Sequence, residues 1–304
     1  MSAQSNETSA AHLSPTSTIP EALEGWEDFM YDQARSPHTV KAFTADILML
    51  HAYLNQSAAI GSVTTEDLNK FLHWLRNERG VPCSPKSYAR RITSIKSFFR
   101  WLSRFGAVTT NPAEKILQKS VISPLPETLT RDELELVIQT ARNHSLSNKP
   151  DHRPYTLVFL LLTTAIKKGE CLALAINHID LTNTDGPFLV VRYSNPRSRY
   201  KERKIDLSPE WVHSYREYLD QYKPVEKVFP WSPRRLEYIL EDLGNEAGLT
   251  KHLSFDMCRW TSALTDWYAD MEKDAIRQKL GISKIQWREL SAKLRQLAGE
   301  TTSE

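Results

Sequence analysis

The residues with the clearest chemical potential are cations spaced along one helical segment, residues 85–105. At about 100° per residue, the side chains of this segment separate into two opposite arcs. One arc is apolar and contains Tyr88, Ile92, Ile95, Phe98, Phe99, Leu102 and Phe105. The other has no acidic residue and carries Lys86, Arg90, Lys96, Arg100 and Arg104. Solvated helix faces usually mix charges, since like charges repel. This face therefore predicts an anionic partner.

Arg91 is the exception, because it projects within the apolar arc and must either reach solvent or find a partner. Lys115 and Lys119 extend the basic surface beyond the helix. Phosphate backbones suit such a surface, because each Lys or Arg contact releases condensed counterions. We therefore predict nucleic-acid contacts at Lys86, Arg90, Arg91, Lys96, Arg100, Arg104, Lys115 and Lys119. The alternative is an ordinary solvated helix face.

Length and composition limit the remaining possibilities. A chain of 304 residues can form two domains, each with its own core. The net charge of +2 is small, so nucleic-acid binding has to come from local clustering of cations. Cys83, Cys171 and Cys258 lack metal-ligand spacing and are typical of structural thiols in a reducing compartment. We expect neither a metal nor a cofactor.

Localisation signals are equally limited. No apolar run approaches the roughly 18 residues that cross a bilayer, so no membrane partner is expected. The first residues have neither the basic nor the apolar region of a secretion signal. We therefore expect a cytoplasmic protein, associated with the nucleoid if the source is prokaryotic.

The elements that position the cations fall into two groups. Residues 1–19 are rich in Ser, Thr and Ala and predict a disordered tail. Residues 20–120 are helical throughout, and Gly106 ends the basic helix. Ser or Thr caps predict helix starts at Ser36, Thr64 and Ser84. Residues 121–128 contain two prolines and predict a linker.

Residues 129–304 predict a larger, mostly helical domain with a β-hairpin. Thr130 and Glu133 have capping-box spacing, and residues 157–165 predict a buried helix. The strands are expected at 188–193 and 204–207, joined by a polar turn. Further helices are expected after Ser208 and Ser232 and, three of them, between residues 256 and 298. The predicted fold class is mainly α, with an all-helical domain followed by a mostly helical domain that contains a hairpin or small antiparallel sheet.

Short motifs occur in a characteristic order along almost the whole chain after residue 20. They are Ser36-Pro-His-Thr39, Asn111-Pro-Ala113, Leu125-Pro-Glu-Thr-Leu-Thr130, Thr164-Ala-Ile-Lys-Lys-Gly-Glu170, Lys201-Glu-Arg203, Leu253-Ser-Phe-Asp-Met-Cys-Arg-Trp-Thr-Ser-Ala263 and Lys279-Leu-Gly-Ile-Ser283. Their order and spacing resemble the tyrosine recombinase (phage integrase) family. The resemblance implies a SAM-like core-binding domain and an integrase-like catalytic domain that clamp duplex DNA.

The resemblance also implies a catalytic site. In this family a tyrosine hydroxyl attacks a DNA phosphodiester, two arginines bind the phosphate oxygens, and a hairpin lysine and histidines transfer protons. Carried over by position, the first arginine falls on Lys167 and the second on Arg259. Both are predicted phosphate contacts. The hairpin lysine, the two histidines and the tyrosine fall on Ser198, Asp256, Ile282 and Ser291.

These replacements imply a degenerate site. A lysine lacks the bidentate fork of arginine, and a carboxylate at Asp256 repels phosphate. A register shift of one residue places Arg197 or Arg199 at the hairpin position, but arginine is too weak an acid to donate a proton. No tyrosine follows Tyr268. The implied protein is a pseudo-enzyme.

Structural roles provide the alternatives at the same positions. Arg259 could pair with Asp256 or Asp266, and Lys167 and Lys168 could stabilise the C-terminal end of a helix. His252 is expected in a loop. Trp260, Trp267, Tyr268 and Trp287 are expected to pack in the core.

Three functions remain open from the sequence. The first is a catalytically inactive homologue that binds duplex DNA in a regulatory, architectural or accessory role. The second is an active recombinase with a non-standard nucleophile such as Ser291. The third is an interaction subunit whose C-terminal segment, Ser291–Leu297, is exchanged with another copy or with an active recombinase.

Overall fold

The computed structural model describes residues 13–54, 58–81, 83–117 and 124–300. Its contacts divide the chain into two compact units, residues 1–124 and 125–304. The division falls within the segment predicted as a linker, of which residues 121–123 lie outside the described ranges. Within those ranges, no helix is long and apolar enough to cross a membrane.

The first unit is helical. Its elements are α1 (Ile19–Asp32), α2 (Pro37–Tyr53), a 3-10 turn (Ile60–Ser62), α3 (Thr65–Asn77) and α4 (Pro85–Arg104). The three predicted helix starts are confirmed, because the side-chain oxygens of Ser36, Thr64 and Ser84 each accept a hydrogen bond from the backbone N–H three residues later. Gly106 follows α4 with φ +75°, in the left-handed region that favours glycine.

The apolar arc of α4 forms much of the first core. Ile92, Ile95, Phe98, Phe99 and Leu102 are buried, as predicted. Trp26 of α1 meets the Phe98 ring edge-on, with centroids 5.1 Å apart. Because α4 is anchored by this face, its basic arc is held towards the outside of the unit.

The segment before α1 differs from the expected disordered tail. The backbone N–H of Ile60 donates to the Ser17 carbonyl oxygen at 2.7 Å, and that of Gly61 donates to the Pro15 carbonyl oxygen at 2.9 Å. A Cβ at Gly61 would lie 2.6 Å from the Pro15 Cβ, so only glycine permits this approach. The prediction of disorder is wrong for residues 13–19, because backbone hydrogen bonds fix them. Residues 1–12 lie outside the described ranges.

The second unit surrounds a larger core. Its helices are α5 (Arg131–Ser145), α6 (Arg153–Thr164), α7 (Lys168–Ala173), α8 (Pro209–Tyr222), α9 (Pro233–Glu246), α10 (Phe255–Tyr268), α11 (Lys273–Lys279) and α12 (Lys284–Leu297). The apolar helix α6 packs against α5, α8 and α10. The predicted capping box is confirmed, since the backbone N–H of Thr130 donates to Glu133 Oε2 at 2.7 Å and that of Glu133 donates to Thr130 Oγ1 at 3.3 Å.

The sheet is small and antiparallel, with strand order β1-β2-β3. The strands are β1 (Ile179–Asp180), β2 (Phe188–Val191) and β3 (Arg203–Asp206). The predicted hairpin is confirmed with slightly different bounds, and Phe188 lies opposite Asp206. A 3-10 helix, Pro196–Lys201, occupies the connection that was expected to be a simple turn.

A separate small core joins α10, α11 and α12. Trp267 is buried in it, and Trp260 and Trp287 pack against it, as predicted. The prediction is wrong for Tyr268, which is 65% exposed. Tyr268 is the last residue of α10, and a step of about 100° from Trp267 turns its ring away from the buried face.

Candidate nucleic acid interface

The basic arc of α4 borders a groove of about 1080 Å³ in the first unit. Lys96, Arg100 and Arg104 line this groove together with Lys115, and we call it the basic groove. Arg100, Arg104 and Lys115 are exposed, and Lys96 is half-buried with its Nζ 3.5 Å from the Glu114 carbonyl oxygen. Four of the sequence-predicted cations therefore meet on one concave surface.

Short polar residues complete the basic groove. Thr64 and Thr65 contribute from the start of α3, and Thr109, Thr110 and Asn111 contribute from the loop after α4. Hydroxyl groups, amides and helix N-termini commonly contact phosphate and sugar atoms. Sequence reasoning missed these residues because a loop has no periodicity that would assign it to the basic face.

Arg90 and Arg91 point elsewhere, to the carboxylate of Asp46 on α2. This carboxylate is 2% exposed, lies 2.5 Å from Arg90 Nη1 and accepts a hydrogen bond from Ser94 Oγ at 2.8 Å. Arg91 Nε is 3.6 Å from the other Asp46 oxygen. Burial raises the pKa of Asp46, whereas Ser94, Arg90 and Arg91 oppose that rise.

The network around Asp46 corrects the predicted surface. Arg91 is only 9% exposed, so its assignment as a nucleic-acid contact is wrong. Arg90 is partly neutralised by Asp46 and also donates to the Ala42 carbonyl oxygen at 2.9 Å. Lys86 is exposed in the first turn of α4 but does not line the basic groove, and Lys119 lies outside the described residues.

The second unit has a pocket of about 420 Å³ that contains Lys167, Lys168 and Arg259. We call it the cation pocket. Lys167 directly precedes α7, and Arg259 lies in the second turn of α10. Lys167 Nζ donates to the Gly281 carbonyl oxygen at 3.2 Å. Arg259 donates to the Leu280 carbonyl oxygen at 2.6 Å and also to that of Ala165.

Burial makes the pocket cations easier to deprotonate. Loss of hydration lowers the pKa of Lys167 to about 8, with Glu170 opposing and Arg259 adding to the shift. The same cause lowers the pKa of Arg259 to about 10, again opposed by Glu170. Glu170 is buried and accepts two hydrogen bonds from Arg203, at 3.1 and 2.8 Å. Three cations thus share one buried carboxylate, which leaves the pocket suited to an anion.

Two of the structural alternatives for these cations are wrong. Helix α6 ends at Thr164 with Ala165 at φ +53°, so Lys167 and Lys168 lie beyond it and begin α7 instead of ending a helix. Asp266 is paired with Lys279 at 2.7 Å, not with Arg259. Asp256 lines the cation pocket, and its charge favours the protonated form of Arg259.

The other equivalents of catalytic residues do not line the cation pocket. Ser198 is half-buried in the 3-10 helix between β2 and β3. Ile282 is buried in the small core. Ser291 is 6% exposed, and its hydroxyl donates to the Arg288 carbonyl oxygen of the same helix at 3.3 Å. A hydroxyl that is buried and bonded in this way is withdrawn from an incoming phosphate.

Sequence reasoning missed several other members of this site. His252 is exposed in the loop before α10, as expected, but it also lines the cation pocket with Glu237. The Arg203–Glu170 pair lies behind the pocket, although both residues belong to motifs noted in the sequence. Motif positions identify such residues, but the pairing of distant side chains requires the fold.

Comparison with known proteins gives a consistent result. Residues 23–106 match the description "Phage integrase, N-terminal SAM-like domain". The tyrosine recombinase XerC of Lacticaseibacillus casei (strain BL23) is 24% identical over 290 residues, which cover 90% of this chain and 91% of that protein.

Solved structures match over most of the chain. XerH site-specific recombinase in a post-cleavage complex with palindromic difH substrate gives a TM-score of 0.72 at 14% identity, covering 98% of this chain and 92% of XerH. A lambda integrase tetramer bound to a Holliday junction gives a TM-score of 0.68 at 18% identity, covering 93% and 80%. The mostly helical architecture with a small antiparallel sheet is therefore an integrase-like fold.

Proposed function

Because the chain belongs to the tyrosine recombinase (phage integrase) family, we propose that it binds duplex DNA through both units and does not cut it. One observation carries this proposal. The cations of the basic groove and of the cation pocket are retained, whereas the nucleophile position holds a buried serine. Such a protein regulates or organises DNA, or acts as a non-cutting partner in recombination.

The DNA-binding part of the proposal rests on charge and shape. The basic groove presents Lys96, Arg100 and Arg104 next to hydroxyl-bearing loops, a combination that suits successive backbone phosphates. XerH and lambda integrase, which share the fold, are bound to a difH substrate and to a Holliday junction in their structures. Phosphate contacts of this kind position a protein on DNA without selecting a sequence.

The proposed absence of cleavage rests on the proton inventory. Strand cleavage requires a nucleophile and a proton donor to the leaving oxygen. Ser291 is buried and bonded to its own helix, and Ile282 has no titratable group. Tyr268, the last tyrosine of the sequence, is exposed and does not line the cation pocket.

A suicide DNA substrate that traps covalent intermediates tests this part directly. We expect no protein–DNA adduct on denaturing gels under conditions where the same protein binds the substrate. An adduct that forms with the wild-type protein and is lost in Ser291→Ala would instead establish an active enzyme with a serine nucleophile. That second candidate is favoured by the relationship to XerC, which is named a tyrosine recombinase.

The pH dependence of DNA binding is a second prediction. Lys167 binds a phosphate best when protonated, and its pKa is lowered to about 8. We therefore expect affinity to fall about three- to tenfold between pH 7 and pH 9.5, a modest effect because the amine is partly exposed. Fluorescence anisotropy with a labelled duplex measures this change at constant ionic strength.

Lys167→Arg provides the matched control for the pH profile. Arginine stays protonated throughout this range, so the variant should bind DNA with little pH dependence and retain its affinity at pH 9.5. An unchanged pH profile in Lys167→Arg would show that another group titrates. Linkage gives an independent sign, because a lysine with a lowered folded-state pKa makes the fold more stable as pH rises from about 8 towards the ordinary value near 10.5.

The exchange of a C-terminal segment stays a prediction. Helix α12 packs on its own unit through Leu294 and Trp287. Trp267 Nε1 also donates to Glu300 Oε1 at 2.7 Å. An exchanged segment has to replace these contacts with equivalent ones on a neighbouring subunit, whether a second copy or an active recombinase.

A further inference from the structure

Four consecutive backbone carbonyl groups converge on cationic side chains at the end of α11. They belong to residues 279–282, which we call the carbonyl turn. The donors, in chain order of the acceptors, are Arg203 Nε at 2.6 Å, Arg259 Nη2 at 2.6 Å, Lys167 Nζ at 3.2 Å and Arg277 Nη1 at 3.1 Å. These donors come from β3, α10, the start of α7 and α11. One short turn therefore holds together cations from four parts of the second unit.

The carbonyl turn supplies negative charge where carboxylates are scarce. The last carbonyl groups of a helix have no partner within the helix and carry the negative end of its dipole. Lys167, Arg203 and Arg259 interact electrostatically and share the buried carboxylate of Glu170. Without further compensation, three neighbouring cations in a partly buried site would repel one another and move apart. The oxygens of the turn offset this repulsion.

Gly281 allows the carbonyl turn to approach Arg203 closely. Its φ is +56°, and a Cβ at this position would lie 2.4 Å from Arg203 Nη1 and 2.8 Å from Cζ. Arg203 has little room to retreat, because it is buried and bonded through two nitrogens to Glu170. Glu170 in turn accepts the backbone N–H of Lys167 at 2.8 Å. A side chain at Gly281 would therefore disturb the cation pocket through a continuous set of contacts.

We propose that the carbonyl turn is the positioning element of the cation pocket, and that Gly281 is the residue on which this positioning depends. By holding Arg203 in place, the turn fixes Lys167 and Arg259 in the arrangement that receives a DNA phosphate. This inference rests on the proposed DNA-binding function. Its physical basis is preorganisation, because cations that are already assembled need not be gathered when the anion binds.

The test compares Gly281→Ala with Gly248→Ala. Both glycines have a positive φ, so both substitutions introduce similar backbone strain, of about 1–2 kcal/mol. A Cβ at Gly248 meets open space, whereas one at Gly281 meets Arg203. Thermal unfolding establishes that each variant is folded. If Gly281→Ala does not fold, Arg203→Lys replaces it, because lysine retains the charge but cannot bridge Glu170 and the Lys279 carbonyl oxygen together.

The first measurement needs no DNA. The rate at which an acylating reagent modifies Lys167, followed by mass spectrometry across pH, reports the pKa of its amine. We expect this pKa to move from about 8 towards 10.5 in Gly281→Ala, as the pocket loosens, and to remain near 8 in Gly248→Ala. The same pKa in both variants would overturn the positioning role of the turn.

The second measurement is the affinity for a duplex oligonucleotide, expected to be about tenfold weaker in Gly281→Ala than in Gly248→Ala. Equal affinities in the two variants would contradict the inference while leaving the proposed function intact. A wild-type protein that binds no duplex even at low salt, with the Lys167 shift still present, would contradict the proposed function alone. The two failures are thus distinguishable.

Discussion

Simultaneous replacement of Lys96, Arg100 and Arg104 by glutamine should lower the affinity for duplex DNA by roughly 100-fold at moderate salt, at about 1 kcal/mol for each charge-assisted phosphate contact. These three cations line the basic groove, and the apolar arc of α4 anchors them. Each contact contributes about 0.9 to the slope of log affinity against log salt, so the slope should flatten by about 2.7. Anisotropy titrations at several salt concentrations give both quantities.

A control variant with the same change in net charge separates local contact from general electrostatics. Lys70, Arg131 and Lys293 each form an ion pair with a glutamate four residues away on the same helix. Their combined replacement by glutamine should change the affinity by less than about threefold, since cations that already have partners release few counterions on binding. Equal losses in the two triple variants would show that the basic groove has no special role.

The helices of both units were predictable because their signals are local. Ser36, Thr64, Ser84 and Thr130 cap helices where the sequence places the caps, and the apolar arc of α4 is buried as its period requires. The tail failed as a prediction because the contacts that fix it are not local. Ser17 and Pro15 are held by backbone groups of residues 60 and 61, and no composition rule reports such pairing.

The candidate site was predictable only in part, for the same reason. A helix wheel identified Arg91 as misplaced, but it could not identify Asp46, on another helix, as the partner. Likewise, the motif positions identified Lys167 and Arg259. The carbonyl turn that holds both residues consists of backbone oxygens, which side-chain chemistry in the sequence does not reveal. Long-range partners and backbone acceptors are the information that the fold adds.

Asp46→Ala should destabilise the first unit by about 3–5 kcal/mol, the usual result of removing one partner from a buried ion pair. Asp46 is 2% exposed and is the partner of Arg90, Arg91 and Ser94. Its removal would leave the Arg91 guanidinium buried without a carboxylate. Urea unfolding followed by circular dichroism measures the change. Glu66→Ala is the control, because it breaks only an exposed pair with Lys70 and should cost less than about 1 kcal/mol.

The double variant Asp46→Ala/Arg91→Leu separates a lost attraction from a stranded charge. Replacing a buried ion pair with apolar side chains is often neutral or stabilising, because neither ion then has to be desolvated. We therefore expect the double variant to recover most of the stability that Asp46→Ala loses. A double variant as unstable as the single one would show instead that Asp46 acts mainly through Ser94 and Arg90. DNA affinity should be nearly unchanged in the rescued protein, because the Arg91 guanidinium faces Asp46 inside the unit and does not line the basic groove.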